Sequence, residues 1–178
     1  RAYSGEKLEP EGYTSYDLAL DNRDALAGDI YKNAENYYKS VFEHAGGSIS
    51  FYPDKNGAAP TAELYHRETR SISVQDVKEF CKKHGITENV FFISAFGITL
   101  GKYNFKKDAV FTTIYHGRND SRLSDTVGML VKTLPVYCDF SGSTADCLNA
   151  VQQQLINSMN NDIYPFSQIS HEFNIKAD

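Results

Sequence analysis

The chain has 178 residues, a formal net charge of -5 and a pI near 5.5, a length that suits one domain or one lobe of a larger one. With 41% hydrophobic and 23% charged residues it falls in the ordinary globular range, outside the disordered class. The acidic balance argues against a nucleic-acid partner, and no apolar run approaches the roughly 20 residues that a bilayer-spanning helix needs.

Residues 1–14, rich in Gly, Glu and Pro, read as a connecting arm. The chain opens on Arg1 with no initiating Met and no apolar leader, which is expected of a piece of a longer cytoplasmic polypeptide. From about Ser15 to Ala45 the apolar positions Leu18, Leu26, Ile30, Tyr37 and Val41 recur near helical spacing, predicting one long or broken helix that Gly46-Gly47 stops. A short apolar piece, Ile49 to Tyr52, runs into a turn-rich loop from Pro53 to Pro60. Residues 62–72 read as an edge or exposed strand, polar on both faces, with Tyr65, Thr69 and Ile72 pointing inward.

Ser73, with Asp76 three positions on, caps a helix whose buried stripe is Val74, Val77, Phe80 and Cys81, and Gly85 ends it. Thr87 caps a second helix to about Lys102, apolar nearly all round and expected to be buried on most sides. Strands are predicted at Ala109–Tyr115 and at about Leu130–Asp139, with Pro135 implying an edge, a bulge or a strand end. A strand, two crossover helices and a further strand suggest a parallel or mixed sheet. Ser143 caps a helix that faces the core with Leu148, Val151, Leu155 and Met159, and a short last helix starts near Pro165. The fold class is α/β, a mixed β-sheet flanked by helices.

Candidate chemistry is sparse. His116-Gly117-Arg118-Asn119-Asp120 spells H-x-x-x-D, and an imidazole suits proton acceptance near neutral pH. A lone His at a strand end is as readily structural or solvated. Cys81 and His84 have helical i, i+3 spacing, but a zinc site needs three or four ligands, so Cys81 is read as core and no metal is expected. Cys81, Cys138 and Cys147 read as free thiols. No G-x-S-x-G, G-x-G-x-x-G or P-loop occurs. The region from Gly117 to Pro135 has a better case: two adjoining strands joined by a polar loop, Asn119 to Asp125, with Gly128 allowing close backbone approach. Lys132, alternating away from Val131 and Thr133, puts a cation at the sheet surface. The plain alternative is an ordinary turn with a solvated lysine.

Several segments, taken in order, resemble the later motifs of condensation domains from non-ribosomal peptide synthetases. Tyr13-Thr14-Ser15-Tyr16-Asp17-Leu18-Ala19 is similar to Y-x-D-Y-A-x-W, with Ser15 in place of Asp and Ala19 in place of Trp. Tyr37-Tyr38-Lys39 resembles Y-W-K, and Gly85 to Val90 resembles the helix start that precedes the buried helix. Gly128-Met129-Leu130-Val131-Lys132-Thr133-Leu134-Pro135-Val136-Tyr137 resembles G-x-F-V-N-T-L-P-x-R, with Lys132 for Asn and Tyr137 for Arg. Asn161 to Phe166 is similar to Q-D-x-P-F with one extra residue.

The resemblance implies a chloramphenicol-acetyltransferase-like fold in which residues 15–178 form the C-terminal lobe. The family's His-His-x-x-x-Asp-Gly motif, which handles the proton during amide formation, is absent, so the piece alone is expected to be inactive. The implied partners are the missing N-terminal lobe, donor and acceptor carrier domains bearing phosphopantetheine arms, and an adjacent adenylation domain, with no cofactor bound directly. Gly117, Arg118, Val127, Gly128, Val131, Lys132 and Thr133 are assigned to the substrate tunnel or lobe interface. Epimerisation and heterocyclisation domains share this fold and stay open, as do a non-catalytic docking module for carriers and a free-standing acyltransferase using His116.

Overall fold

The computed structural model describes residues 2–7, 10–51 and 67–176. The loop at 53–60 and residues 62–66 of the extended segment therefore lie outside the described residues. Helix α1 (Ser15–Leu26) begins where the Thr14 side chain accepts from the Asp17 N–H while the Asp17 carboxylate accepts from Thr14, a reciprocal capping box. Gly28, extended at φ -109°, then opens helix α2 (Asp29–Phe42), so of the long or broken helix expected the broken form is present. The break resets the helical phase. Ala34, Tyr38 and Phe42 are the buried stripe, not Ile30, Tyr37 and Val41, and α1 buries nothing fully.

Helix α3 (Val74–His84) is capped by Ser73 and closed by Gly85 in the left-handed region, and α4 (Glu88–Tyr103) is capped by Thr87. The α3 stripe is narrower than its spacing suggests: Cys81 is buried, Val77 and Phe80 are half-buried, and Val74 is exposed. Strands β1 (Asp108–Tyr115) and β2 (Lys132–Asp139) pair antiparallel, with Ala109 opposite Cys138 and Tyr115 opposite Lys132. Helices α5 (Thr144–Asn160, capped by Ser143) and α6 (Phe166–Phe173, with Pro165 at its N-cap) follow.

The chain is α/β, but among the described residues its sheet is a two-stranded antiparallel pair instead of a mixed sheet. The loop at 116–131 carries one short 3-10 turn and no crossover helix, so the chain reverses from β1 directly into β2. Residues 67–72, the described part of the supposed edge strand, form no strand.

Pro135 sits mid-strand opposite Thr112. The Tyr137 N–H points away from β1 to the Gln154 Oε1 of α5 at 3.1 Å. Two residues earlier, Pro135 faces the same outer side, where its missing N–H costs no ladder bond. The edge reading holds.

The sheet separates two cores. Ala109, Phe111, Val136 and Cys138 pack with α3, α4 and α5, whereas Val110 and Tyr137 pack with α2 and α6 around Tyr38, Phe42, Tyr164 and Ile169. Helix α4 lies against the strands through glycine: a Cβ at Gly101 would sit 2.4 Å from the Phe140 ring and 2.8 Å from the Asp108 carbonyl oxygen. Phe92 and Phe96, outside that close contact, are left exposed, so the expectation of burial on most sides fails. One two-stranded sheet can cover only one face of a helix.

Candidate functional site

The site is the ground between the β1–β2 loop, the start of β2 and the α5–α6 turn. Gly117 opens the loop at φ +71°, and a Cβ there would lie 1.8 Å from the Leu130 carbonyl oxygen. Only glycine lets the outgoing and returning chains cross so closely. Gly128, assigned that role from the sequence, has no positive φ, and a Cβ on it would meet only Ser15 Cβ at an ordinary 3.5 Å. The close approach belongs to Gly117.

Arg118 turns inward and ties the loop together. Its guanidinium donates to the Leu123 and Thr126 carbonyl oxygens, the latter at 3.0 Å. The incoming arm then clamps the loop from outside. Thr126 Oγ1 donates to the Tyr13 carbonyl oxygen at 2.6 Å, and the Val127 N–H donates to Glu11 Oε1 at 2.6 Å. Arg122 lies 4.5 Å from the centre of the Tyr13 ring and pairs with both Asp120 and Asp21. These bonds with Asp120 hold the arginine firmly protonated and keep the Asp120 carboxyl below its usual range.

From Val127 the chain runs in alternation into β2. Leu130 is buried, whereas Val127, Met129 and Val131 are 79%, 89% and 52% exposed, and Ile114 on β1 adds a fourth exposed apolar residue. Together these make an uncovered apolar row. His116 is exposed at the end of β1, its Nδ1 accepting the Arg118 N–H at 3.0 Å, and it lines neither groove described below.

Lys132 is not a solvated lysine. Its Nζ lies 2.9 Å from Asp162 Oδ1 and donates to the Asp162 carbonyl oxygen at 3.1 Å, which pins the first residue of β2 to the turn after α5. This pair stands between two grooves. One, of about 400 Å³, is walled by Leu26, Thr133, Leu134, Ile163, Tyr164 and Phe166. The other, of about 510 Å³, is walled by Ile30, Gly117, Leu130, Val131 and Met159, among others. Asn22, Lys132, Asp162 and Ile163 border both. Leu26 and Ile30, apolar positions of the predicted helix, are exposed and face these grooves.

Of the residues singled out in the sequence, Gly117, Val131, Lys132 and Thr133 come together at the grooves, and Arg118 supports the loop beside them. Val127 and Gly128 sit on the outer side of that loop. Asp162, Asn22, Leu26 and Ile163 were missed. Only Asp162 carried a signal, its place in the Asn161–Phe166 motif, and nothing in the sequence alone says that a turn 30 residues on meets Lys132.

Among the described residues there is no cluster of three or more His, Cys, Asp or Glu placed to hold a metal ion, and no helix is long and apolar enough to cross a membrane.

The same fold is found among solved condensation domains. The first condensation domain of the calcium-dependent antibiotic synthetase, in complex with a substrate analogue, superposes with a TM-score of 0.71 at 15% identity over 97% of this chain and 39% of that one. A family model of the condensation domain matches residues 1–178; the chain belongs to that family. Among its relatives, the nonribosomal peptide synthetase sidC of Arthroderma benhamiae is 32% identical over 94% of this chain. Bacitracin synthase 2 of Bacillus licheniformis is 24% identical over 99%. The chain spans only 3% and 7% of the lengths of those two proteins.

Proposed function

We propose that this chain is the C-terminal lobe of a condensation domain in a non-ribosomal peptide synthetase, and that the intact domain joins carrier-bound aminoacyl or peptidyl thioesters through an amide bond. The observation that carries the reading is the Lys132–Asp162 contact, through which two family-like motif segments far apart in sequence share one groove. In this reading the grooves are part of the tunnel wall, and the exposed row of Val127, Met129, Val131 and Ile114 receives the N-terminal lobe. A row this apolar calls for a covering partner.

The N-terminal lobe supplies the His-His-x-x-x-Asp-Gly motif, and the acceptor amine attacks the donor carbonyl at the junction. The phosphopantetheine arms belong to the donor and acceptor carrier domains and enter as part of the substrates, while an adenylation domain loads them. The synthetase works in the cytoplasm. Lys132 acts here by holding the groove together, with its Nζ engaged twice by Asp162. His116 takes no catalytic part. Its Nδ1 is occupied by its own turn.

The experiment is a carrier-to-carrier transfer read by intact mass. The full domain, built from this chain and its upstream lobe, should move a donor acyl group onto the acceptor carrier, and the 178-residue chain alone should not. Turnover by the chain alone would overturn the reading. Epimerised donor without transfer would favour the epimerisation alternative, and carrier binding without any chemistry would leave a docking module.

A further inference from the structure

Away from the groove, the structure brings together two groups that the proposed function does not use. Cys138, near the end of β2, and Cys147, in the second turn of α5, are free and buried, with their sulfurs 3.4 Å apart. Each is the other's hydrogen-bond partner. The room for this pair comes from α4: a Cβ added at Gly97 would lie 2.8 Å from both Cys138 Cβ and Cys138 Sγ. Cys81, on α3, has no such contact with either thiol.

We infer that Cys138 and Cys147 are a dithiol that peroxide oxidises to an intramolecular disulfide, tying β2 to α5. The two residues are nine positions apart, and the sulfurs need to close to only about 2.05 Å. Cys147 is the attacking group. The hydrogen bond from the Cys138 thiol pulls its ionisation below the usual thiol range, while the same contact pushes Cys138 up.

Cys147 thiolate attacks one peroxide oxygen, the O–O bond breaks, and the departing hydroxide takes up a proton to leave as water. The resulting sulfenic acid is then attacked by Cys138 sulfur. The S–O bond breaks, the Cys138 proton leaves with the hydroxyl as a second water, and the S–S bond forms. Two electrons pass from the two sulfurs to peroxide, and no further reactant is needed. Because both thiols are buried, peroxide reaches them during local opening of α5 against β2, so the reaction is slow in the closed state.

The link joins the far ends of the two elements whose near ends lead to Lys132 and Asp162. It therefore restrains the groove without touching it.

The test treats the native chain with hydrogen peroxide, alkylates the remaining thiols and maps peptides by mass. The expected result is the loss of two hydrogens, a single Cys138–Cys147 linked pair, alkylated Cys81, and a raised denaturation midpoint that dithiothreitol reverses. Oxygen additions on either cysteine without the link would overturn the inference, as would links between molecules or a link that forms only after denaturation. A Cys138→Ser variant should stop at a trappable sulfenic acid on Cys147; if that variant does not fold, the mapping of the unsubstituted chain decides alone.

Discussion

The two faces of the sheet hold in different ways. Toward α3, α4 and α5 the packing is steric and wholly apolar at its tips: aliphatic side chains, phenylalanine rings, paired thiols, and glycines that let α4 approach the strands. Toward α2 and α6 it is aromatic with polar tips. Tyr37 hydroxyl donates to the Gln154 carbonyl oxygen at 3.0 Å, Tyr38 hydroxyl to the Ser158 carbonyl oxygen at 3.3 Å, and Tyr164 hydroxyl to Glu172 at 2.9 Å. The first face tolerates no added volume, and the second tolerates no lost partner. The groove belongs to the second side, where Tyr164 of its wall is also part of the core. The lesson is that one face fixes the frame, and the other couples the frame to the site.

The largest effect should come from crowding the first face. Gly101→Leu should cost about 3 kcal/mol or more, because the clash is with backbone as well as the Phe140 ring; a urea midpoint close to that of the unsubstituted chain would contradict it. Gly117→Ala tests the crossing at the loop, and it combines a left-handed backbone with a carbonyl clash. A loss of about 2–3 kcal/mol is expected, with faster hydrogen exchange of the amides around Leu130.

The second face should answer to pH. Burial holds the Tyr37, Tyr38 and Tyr164 hydroxyls above the ordinary phenol range, with the Glu172 hydrogen bond adding to the effect at Tyr164. The folded state therefore favours the neutral form. That stability is fully present below the unfolded value of about 10 and is lost as pH rises through the higher folded values. Tyr38→Phe should cost about 1 kcal/mol at neutral pH, by losing one hydrogen bond. It should also move base-induced unfolding, followed by tyrosinate absorbance, to higher pH. An unchanged alkaline transition would mean that this face does not control it. The smallest expected stability effect is at the ion pair: Lys132→Ala should cost about 1 kcal/mol or less, since the pair keeps partial contact with solvent.

Much of the frame was legible because it is encoded locally. Ser73, Thr87 and Ser143 each cap the helix they announce, and β-branched runs mark both strands. Pro135 declared its outer side. What was not legible depends on where separate elements meet. The α2 stripe shifted by one residue because Gly28 restarted the helix, a phase change that apolar spacing averaged across. The exposure of Phe92 and Phe96 follows from how many strands cover α4, which no spacing within the helix reports. The motif around Lys132 was readable, but its partner Asp162 was not, since an ion pair between a strand start and a helix turn leaves no periodic trace. The Cys138–Cys147 contact was hidden for the same reason.

The most direct measurement is the single-turnover rate of amide formation by the intact domain with Lys132→Ala, beside Lys83→Ala on the exposed end of α3 as a control. Misplacing a tunnel wall by a fraction of an ångström to an ångström costs on the order of tenfold to a hundredfold in rate. The account predicts such a loss for Lys132→Ala, with unchanged circular dichroism, and no loss for Lys83→Ala. Equal rates for both variants and the unsubstituted domain would contradict the claim that the Lys132–Asp162 groove is part of the amide-forming tunnel.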